Sequence, residues 1–246
     1  MKVWLRSIAF NGAFYGWTLF CCVLFLPVFI LPRTFAVRLV KVWTSGCYWI
    51  CEHVLGLHIK VTGKKRLLIK PAIFAIKHQS TWETVVFPYF FSDPSIVLKK
   101  ELMWIPFFGW YLKKLDMVSL SRSKKRGIQD LKTLLKKAEI AVSRGQPILI
   151  FPEGTRSKPG QKGEYQSGIA SLYLHLKIPV IPIAHNAGLF WPRRGFIKYP
   201  GQITLEILEP IEPGLSRREF MRILENEIES KTNDLVGEGR AYVIKS

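Results

Sequence analysis

Ala72-Ile73-Phe74-Ala75-Ile76 runs directly into Lys77-His78-Gln79-Ser80-Thr81-Trp82-Glu83. The five apolar residues read as a short buried strand, and the polar segment reads as a strand-to-helix turn. Open α/β sheets gather their chemistry beyond the carboxyl ends of their strands. An imidazole and a carboxylate five positions apart at such a place make His78 and Glu83 the first candidates. On one continuous helix, five positions advance about 500°, which leaves the two side chains about 140° apart. They meet only if the helix starts between them. Ser80-Thr81-Trp82-Glu83 supplies that start as an S-x-x-E capping box with Ser80 as N-cap. Two readings stand at this point: Glu83 only caps the helix, or it also works with His78.

Outward from this stretch the pattern is α/β. Strands are expected at 58–62, 72–76, 95–98, 117–120, 147–151, 180–184 and 203–208. Helices are expected at 81–91, within 101–115, and at 124–144, 168–176 and 217–235. Strands alternating with helices predict a mostly parallel sheet flanked by helices on both faces. Within 124–144, Ile128, Leu131, Leu134, Leu135, Ala138 and Val142 recur at helical spacing and read as core.

The first 57 residues have a different character. Positions 8–32 carry no charged side chain over 25 residues, with Arg6 and Arg33 as brackets. Such a stretch is long enough to cross a hydrocarbon core of about 30 Å as a helix, and Pro27 and Pro32 would kink or end it. Residues 34–57 keep an apolar stripe through Phe35, Leu39, Val42, Trp43 and Ile50, interrupted by Arg38, Lys41 and Glu52. This reads as an interfacial amphipathic helix. Either the first helix spans and the second lies flat, or the two dip into one leaflet as a hairpin. The expected organisation is therefore a membrane-inserted segment at 1–57 and an α/β domain at 58–246, membrane-associated, with the domain on the cytoplasmic face.

Composition points the same way. The chain is 48% hydrophobic with a net charge of +18, a balance that suits an anionic partner. Between 99 and 144, twelve Lys or Arg face four Asp or Glu, beside the apolar run Met103-Trp104-Ile105-Pro106-Phe107-Phe108-Gly109-Trp110. That pairing predicts contact with an anionic membrane surface. No nucleic-acid module accompanies the charge, so nucleic acid is not an expected partner. Cys21, Cys22, Cys47 and Cys51 match no zinc spacing, and no metal is expected.

A second constellation is Phe151-Pro152-Glu153-Gly154-Thr155-Arg156-Ser157, which follows the apolar run Ile148-Leu149-Ile150. Arg156 offers a planar fork suited to phosphate, Gly154 allows close backbone approach, and Thr155 adds a hydroxyl. Ser119-Leu120-Ser121-Arg122 places another arginine just after a strand, a second candidate phosphate clamp. The proline-bearing strand Val180-Ile181-Pro182-Ile183 reads as site wall. There is no G-x-S-x-G elbow, no GxxxxGK[ST] loop and no GxGxxG fingerprint.

Taken in chain order, His78-x4-Glu83, the Gly109 to Arg122 block, Phe151–Ser157 and Val180–Ile183 resemble the 1-acyl-glycerol-3-phosphate acyltransferase (lysophosphatidate acyltransferase) family over roughly residues 60–210. The resemblance implies a membrane-bound enzyme of phospholipid biosynthesis. It would move a fatty acyl group from acyl-CoA or an acyl carrier protein (a co-substrate, with no cofactor) to the sn-2 hydroxyl of lysophosphatidic acid. If the chain is bacterial, the cell inner membrane is implied. The family's base would map to His78 and its acidic partner to Glu83. Glu153, Gly154, Thr155, Arg156 and Arg122 would bind substrate. The family usually has Asp where this chain has Glu83, and often a Lys where Tyr165-Gln166-Ser167-Gly168 stands here. Another lysolipid acceptor, thioester hydrolysis and a non-catalytic lipid-binding role are the competing readings.

Overall fold

The computed structural model describes residues 2–120 and 127–243. Seven strands form one sheet: β1 (Leu57–Thr62), β2 (Ile73–Ile76), β3 (Ser95–Lys99), β4 (Val118–Leu120), β5 (Ile148–Ile150), β6 (Val180–His185) and β7 (Gly201–Ile207). Their spatial order is β1-β7-β6-β2-β5-β3-β4. All neighbouring pairs are parallel except β6 with β7, which run antiparallel. The strand that decided the fold, β2, lies at the centre between β6 and β5.

A central strand is buried on both faces, which explains why β2 reads as a continuous apolar run and not as an alternation. Its side chains nonetheless divide with period two. Phe74 and Ile76 enter one core with Leu149, Ile181 and Ile183. Ile73 and Ala75 enter the opposite core with Ile148 and Ile150. The second core is closed by α5 (Gly127–Ser143), α6 (Gly168–Leu176) and α8 (Arg217–Val243). The first is closed by α3 (Trp82–Phe90), α7 (Ala187–Phe190) and the N-terminal helices.

α1 spans Lys2–Leu24, so it starts before Arg6 and ends well before Pro32. The uncharged window is therefore not one helix. Pro27 opens a separate 3-10 turn at Leu26–Ile30, consistent with a residue that fits only at a helical start. α2 covers Arg33–Ile50 and continues as a π turn to Leu55. Gly56, at φ 73°, stops it and returns its N–H to the Cys51 carbonyl, a left-handed cap that suits glycine. Phe10, Phe14, Cys47, Ile50 and Leu55 belong to the same core as the sheet residues Leu57, Phe74 and Ile203. α1 buries only Ser7, Phe10, Phe14 and Cys21, which share one face, and leaves Trp4, Leu5, Tyr15, Leu19 and Phe20 exposed. By length and composition it can cross a membrane.

α4 (Phe108–Lys114) is the helix expected within 101–115. Tyr111 donates its hydroxyl to the Cys22 carbonyl at 2.9 Å, and its ring lies 4.9 Å from Phe29. The exposed residues Trp104, Ile105, Phe107 and Trp110 thereby adjoin the exposed end of the N-terminal pair, Leu24, Ile30 and Leu31. Phe107 sits at φ 61°, ψ −60°, with Phe108 N–H on the Pro106 carbonyl at 2.7 Å. This is a γ-turn of the strained kind. One expectation on the next helix needs correction: Ile128, expected in the core, is 77% exposed. The helix is described from Gly127, and residues 124–126 of the expected span lie outside the described residues.

Candidate active site

The site lies at the carboxyl ends of β2, β5 and β6, where three loops meet. The loop after β2 carries His78 and Glu83. Thr81 is the first residue whose carbonyl accepts an i+4 bond, from Val85 N–H at 3.2 Å, so α3 begins one residue later than Ser80 as N-cap would require. The reciprocal bonds of the box still form. Ser80 Oγ accepts the Trp82 N–H at 3.0 Å, and Glu83 Oε1 accepts the Ser80 and Gln79 N–H groups at 2.7 Å each.

The same Oε1 lies 2.9 Å from His78 Nδ1. Because a carboxylate accepts, the proton sits on Nδ1 and the Nε2 lone pair is left for another donor. Glu83 therefore caps the helix and orients the imidazole with one oxygen. It is fully buried, and burial alone would push its pKa up. The His78 bond, the nearby His185 and His78 rings and the Ser80 N–H outweigh that and hold it below the ordinary value. His78 keeps 12% of its side chain exposed and stacks on Phe151, with ring centroids 4.3 Å apart.

The loop after β5 is stapled to this turn. Ser157 N–H donates to the His78 carbonyl at 2.8 Å, and Glu153 Oε2 accepts the His78 N–H at 2.8 Å. Glu153 faces inward, contrary to a substrate-binding role. It is buried, and its other oxygen takes Lys77 Nζ at 2.6 Å and Gly163 N–H at 3.1 Å. A Cβ on Gly163 would collide with that carboxylate, so the approach requires glycine. Lys77 is also bonded to Glu229 of α8 at 2.7 Å, and Tyr165 donates its hydroxyl to the same Glu229 oxygen at 3.0 Å. Burial, then the Glu229 and Glu153 charges, pushes the Tyr165 phenol far up, which keeps it a donor.

Gly154 and Thr155 are half-buried at the loop's outer side, and Arg156 points towards the dyad. Arg156 Nη1 donates to Thr81 Oγ1 at 2.5 Å and lies 3.5 Å from the Arg193 carbonyl. Burial lowers its pKa, Glu83 raises it, and Arg193 and Arg194 lower it again, with a net fall. Arg122 lies outside the described residues. Among the described residues no cluster of His, Cys, Asp or Glu forms a metal-binding set.

After β6 comes His185, fully buried, whose Nδ1 accepts the Ala187 N–H at 3.2 Å. Its Nε2 therefore carries the proton and donates to the Lys77 carbonyl at 2.7 Å. Burial depresses its pKa, so it is held neutral. Sequence reasoning missed Lys77, Glu229, His185 and the Arg193-Arg194 pair. Lys77 and Glu229 are 152 positions apart, with no local mark of their pairing. The arginines do leave a signal, a basic pair in a Trp-Pro-Arg-Arg-Gly turn just after α7.

Comparisons with known proteins place the chain in a family. The 1-acyl-sn-glycerol-3-phosphate acyltransferase of Pseudomonas aeruginosa is 41% identical over 179 residues, which cover 72% of this chain and 69% of the relative. The enzyme of the same name from Saccharomyces cerevisiae is 31% identical over 68% of this chain and 56% of its own length. The crystal structure of the 1-acyl-sn-glycerophosphate (LPA) acyltransferase PlsC from Thermotoga maritima superposes with a TM-score of 0.75. It covers 96% of this chain and 99% of its own at 19% identity, a likeness of fold. A family model described as Acyltransferase matches residues 58–186, more than half of the chain and the part that holds both the His78–Glu83 turn and the arginine loop. With that match and the 41% identity, the chain belongs to the acyltransferase family and is an acyltransferase.

Proposed function

We propose that this enzyme transfers an acyl group from a thioester, acyl-CoA or an acylated carrier protein, to the sn-2 hydroxyl of lysophosphatidic acid, forming phosphatidic acid for phospholipid synthesis. The observation that carries the reading is the 2.9 Å contact of His78 Nδ1 with Glu83, which leaves the Nε2 lone pair as a base, while Arg156 is bonded to Thr81 of the same turn. The names of the relatives from P. aeruginosa and S. cerevisiae support the acceptor.

In this reaction His78 Nε2 accepts the hydroxyl proton as the oxygen attacks the thioester carbonyl. The C–O bond forms, the C–S bond breaks, and the proton passes from His78 to the departing thiolate. Glu83 stabilises the imidazolium and fixes its ring, the part a carboxylate plays in acyl-transfer triads. The acceptor is itself the nucleophile, so no acyl-enzyme is formed. Arg156 and Arg122 hold the acceptor's phosphate, with Gly154 and Thr155 shaping the loop. Glu153 positions the His78 backbone instead of touching substrate. Residues 1–57 form the membrane-inserted part and 58–246 the catalytic domain, facing the cytoplasm. The exposed apolar surface of α1 and of residues 104–110 supports that placement.

Purified full-length protein, lysophosphatidic acid and an acyl thioester test the reading. Transfer that depends on both His78 and Glu83 is expected. Thiol release at the same rate without acceptor would make the enzyme a hydrolase instead.

A further inference from the structure

Residues 191–198 form a loop closed at its base by Tyr199 N–H on the Phe190 carbonyl at 2.8 Å. One side is docked on α1: Ser7 Oγ donates to the Lys198 carbonyl at 3.1 Å and accepts the Lys198 N–H at 3.0 Å. Asn11 donates to the Phe196 carbonyl at 3.1 Å. The other side reaches the arginine loop, with Arg193 Nη2 3.4 Å from Thr155 Oγ1 and the Arg193 carbonyl 3.5 Å from Arg156 Nη1. The loop thus bridges the apolar helix and the candidate active site.

Its side chains divide by chemistry. Phe196 and Ile197 are exposed apolar residues beside α1. Arg193 and Arg194 are exposed cations beside Arg156. Among the described residues, none of these three guanidiniums pairs with a carboxylate. Arg156 feels the opposing charge of Glu83 together with the repulsion of Arg193 and Arg194. The exposed arginine pair makes no ion pair among the described residues, and the arrangement favours an arriving anion. A phosphomonoester carries a charge of about −1.5 to −2 at pH 7 and three acceptor oxygens, which suits forked donors.

We infer that Arg193 and Arg194, with Arg156, form the binding site for a phosphomonoester headgroup whose apolar tail lies along Phe196, Ile197 and α1. This inference rests on the proposed acceptor and extends it, since it names residues that set preference for a phosphomonoester over an uncharged glycerolipid. Arg193 and Arg194 collect the headgroup at the membrane surface. Arg156 then holds it with the sn-2 hydroxyl at His78 Nε2.

The test uses full-length protein in detergent, as wild type, R193A, R194A, the double variant and the double Lys variant. Both residues are exposed, so thermal unfolding should match the wild type. The double Ala variant should raise KM for lysophosphatidic acid at least 30-fold with little change in kcat, about 2 kcal/mol of binding. KM for uncharged 1-acylglycerol should not change, and the Lys variant should recover part of the loss. A KM for lysophosphatidic acid within twofold of wild type overturns the inference and leaves the transferase reading intact. Calorimetry with hexyl phosphate reads the site without turnover, so it holds even if lysophosphatidic acid is not the acceptor. Wild type should bind it at least tenfold more tightly than the double Ala variant, and fivefold more tightly than inorganic phosphate. Equal binding to both proteins overturns the arginine site, and equal binding of the two phosphates overturns its lipid character.

Discussion

One oxygen of Glu83 accepts three donors: the imidazole of His78 and the backbone N–H groups of Gln79 and Ser80. Capping and orientation are therefore inseparable at this residue. His78→Ala should lower kcat by about 10²–10⁴ with little change in KM, the range for losing a positioned base. Glu83→Gln keeps the size but not the charge, so it should lower kcat and also destabilise α3, which circular dichroism melts would detect. Glu83 and His185 both have depressed pKa values in the folded protein. In each case the unfolded chain takes up a proton before the folded one does, so stability falls as pH falls. The His185 contribution is complete above its ordinary 6.5 and declines below it. The Glu83 contribution is complete above 4.5 and is lost below that value. Melting temperature should thus drop in two stages on acidification, and His185→Asn should flatten the first stage, which opens below pH 6.5. An unchanged first stage would assign it to another group.

At the scale of elements, the sheet was legible because each buried strand announces itself as a short apolar run bounded by turns. All seven expected strands form, with ends shifted by one or two residues. The start of α3 could be read to within one residue from Ser80 and Glu83, since a capping box is a local device. What joins elements was not legible. Lys77 has a side chain with no exposure, between Glu153 of the β5 loop and Glu229 of α8. Nothing near Lys77 in the sequence marks either partner, and Glu153 was expected to meet substrate only through the family resemblance of the Phe151–Ser157 string. Lys77→Ala would strand the buried Glu153 and the half-buried Glu229 and should cost about 3–5 kcal/mol in denaturant unfolding. Glu229→Gln should cost less, because Glu153 still neutralises Lys77 and Tyr165 keeps an acceptor. If Glu229→Gln proves as damaging as Lys77→Ala, the carboxylates do not share the lysine as described.

Across the whole molecule, exposed apolar residues occur on α1, at Ile30 and at Trp104, Ile105 and Trp110, and the contacts of Tyr111 with Cys22 and of Phe29 with Trp110 hold these segments together. Trp104→Asp with Ile105→Asp should reduce sedimentation with anionic vesicles while leaving the fold and detergent-supported turnover close to wild type. Unchanged sedimentation would mean that α1 alone carries the membrane contact. The bridge from α8 to Lys77 also orders events in time. A chain emerging amino end first presents α1 and the His78 turn long before Glu229 arrives, since domains fold as their residues become available. On the proposed membrane placement, α1 would meet a bilayer with the catalytic turn still unbraced, and a chain stalled before α8 should reach it without transferase activity.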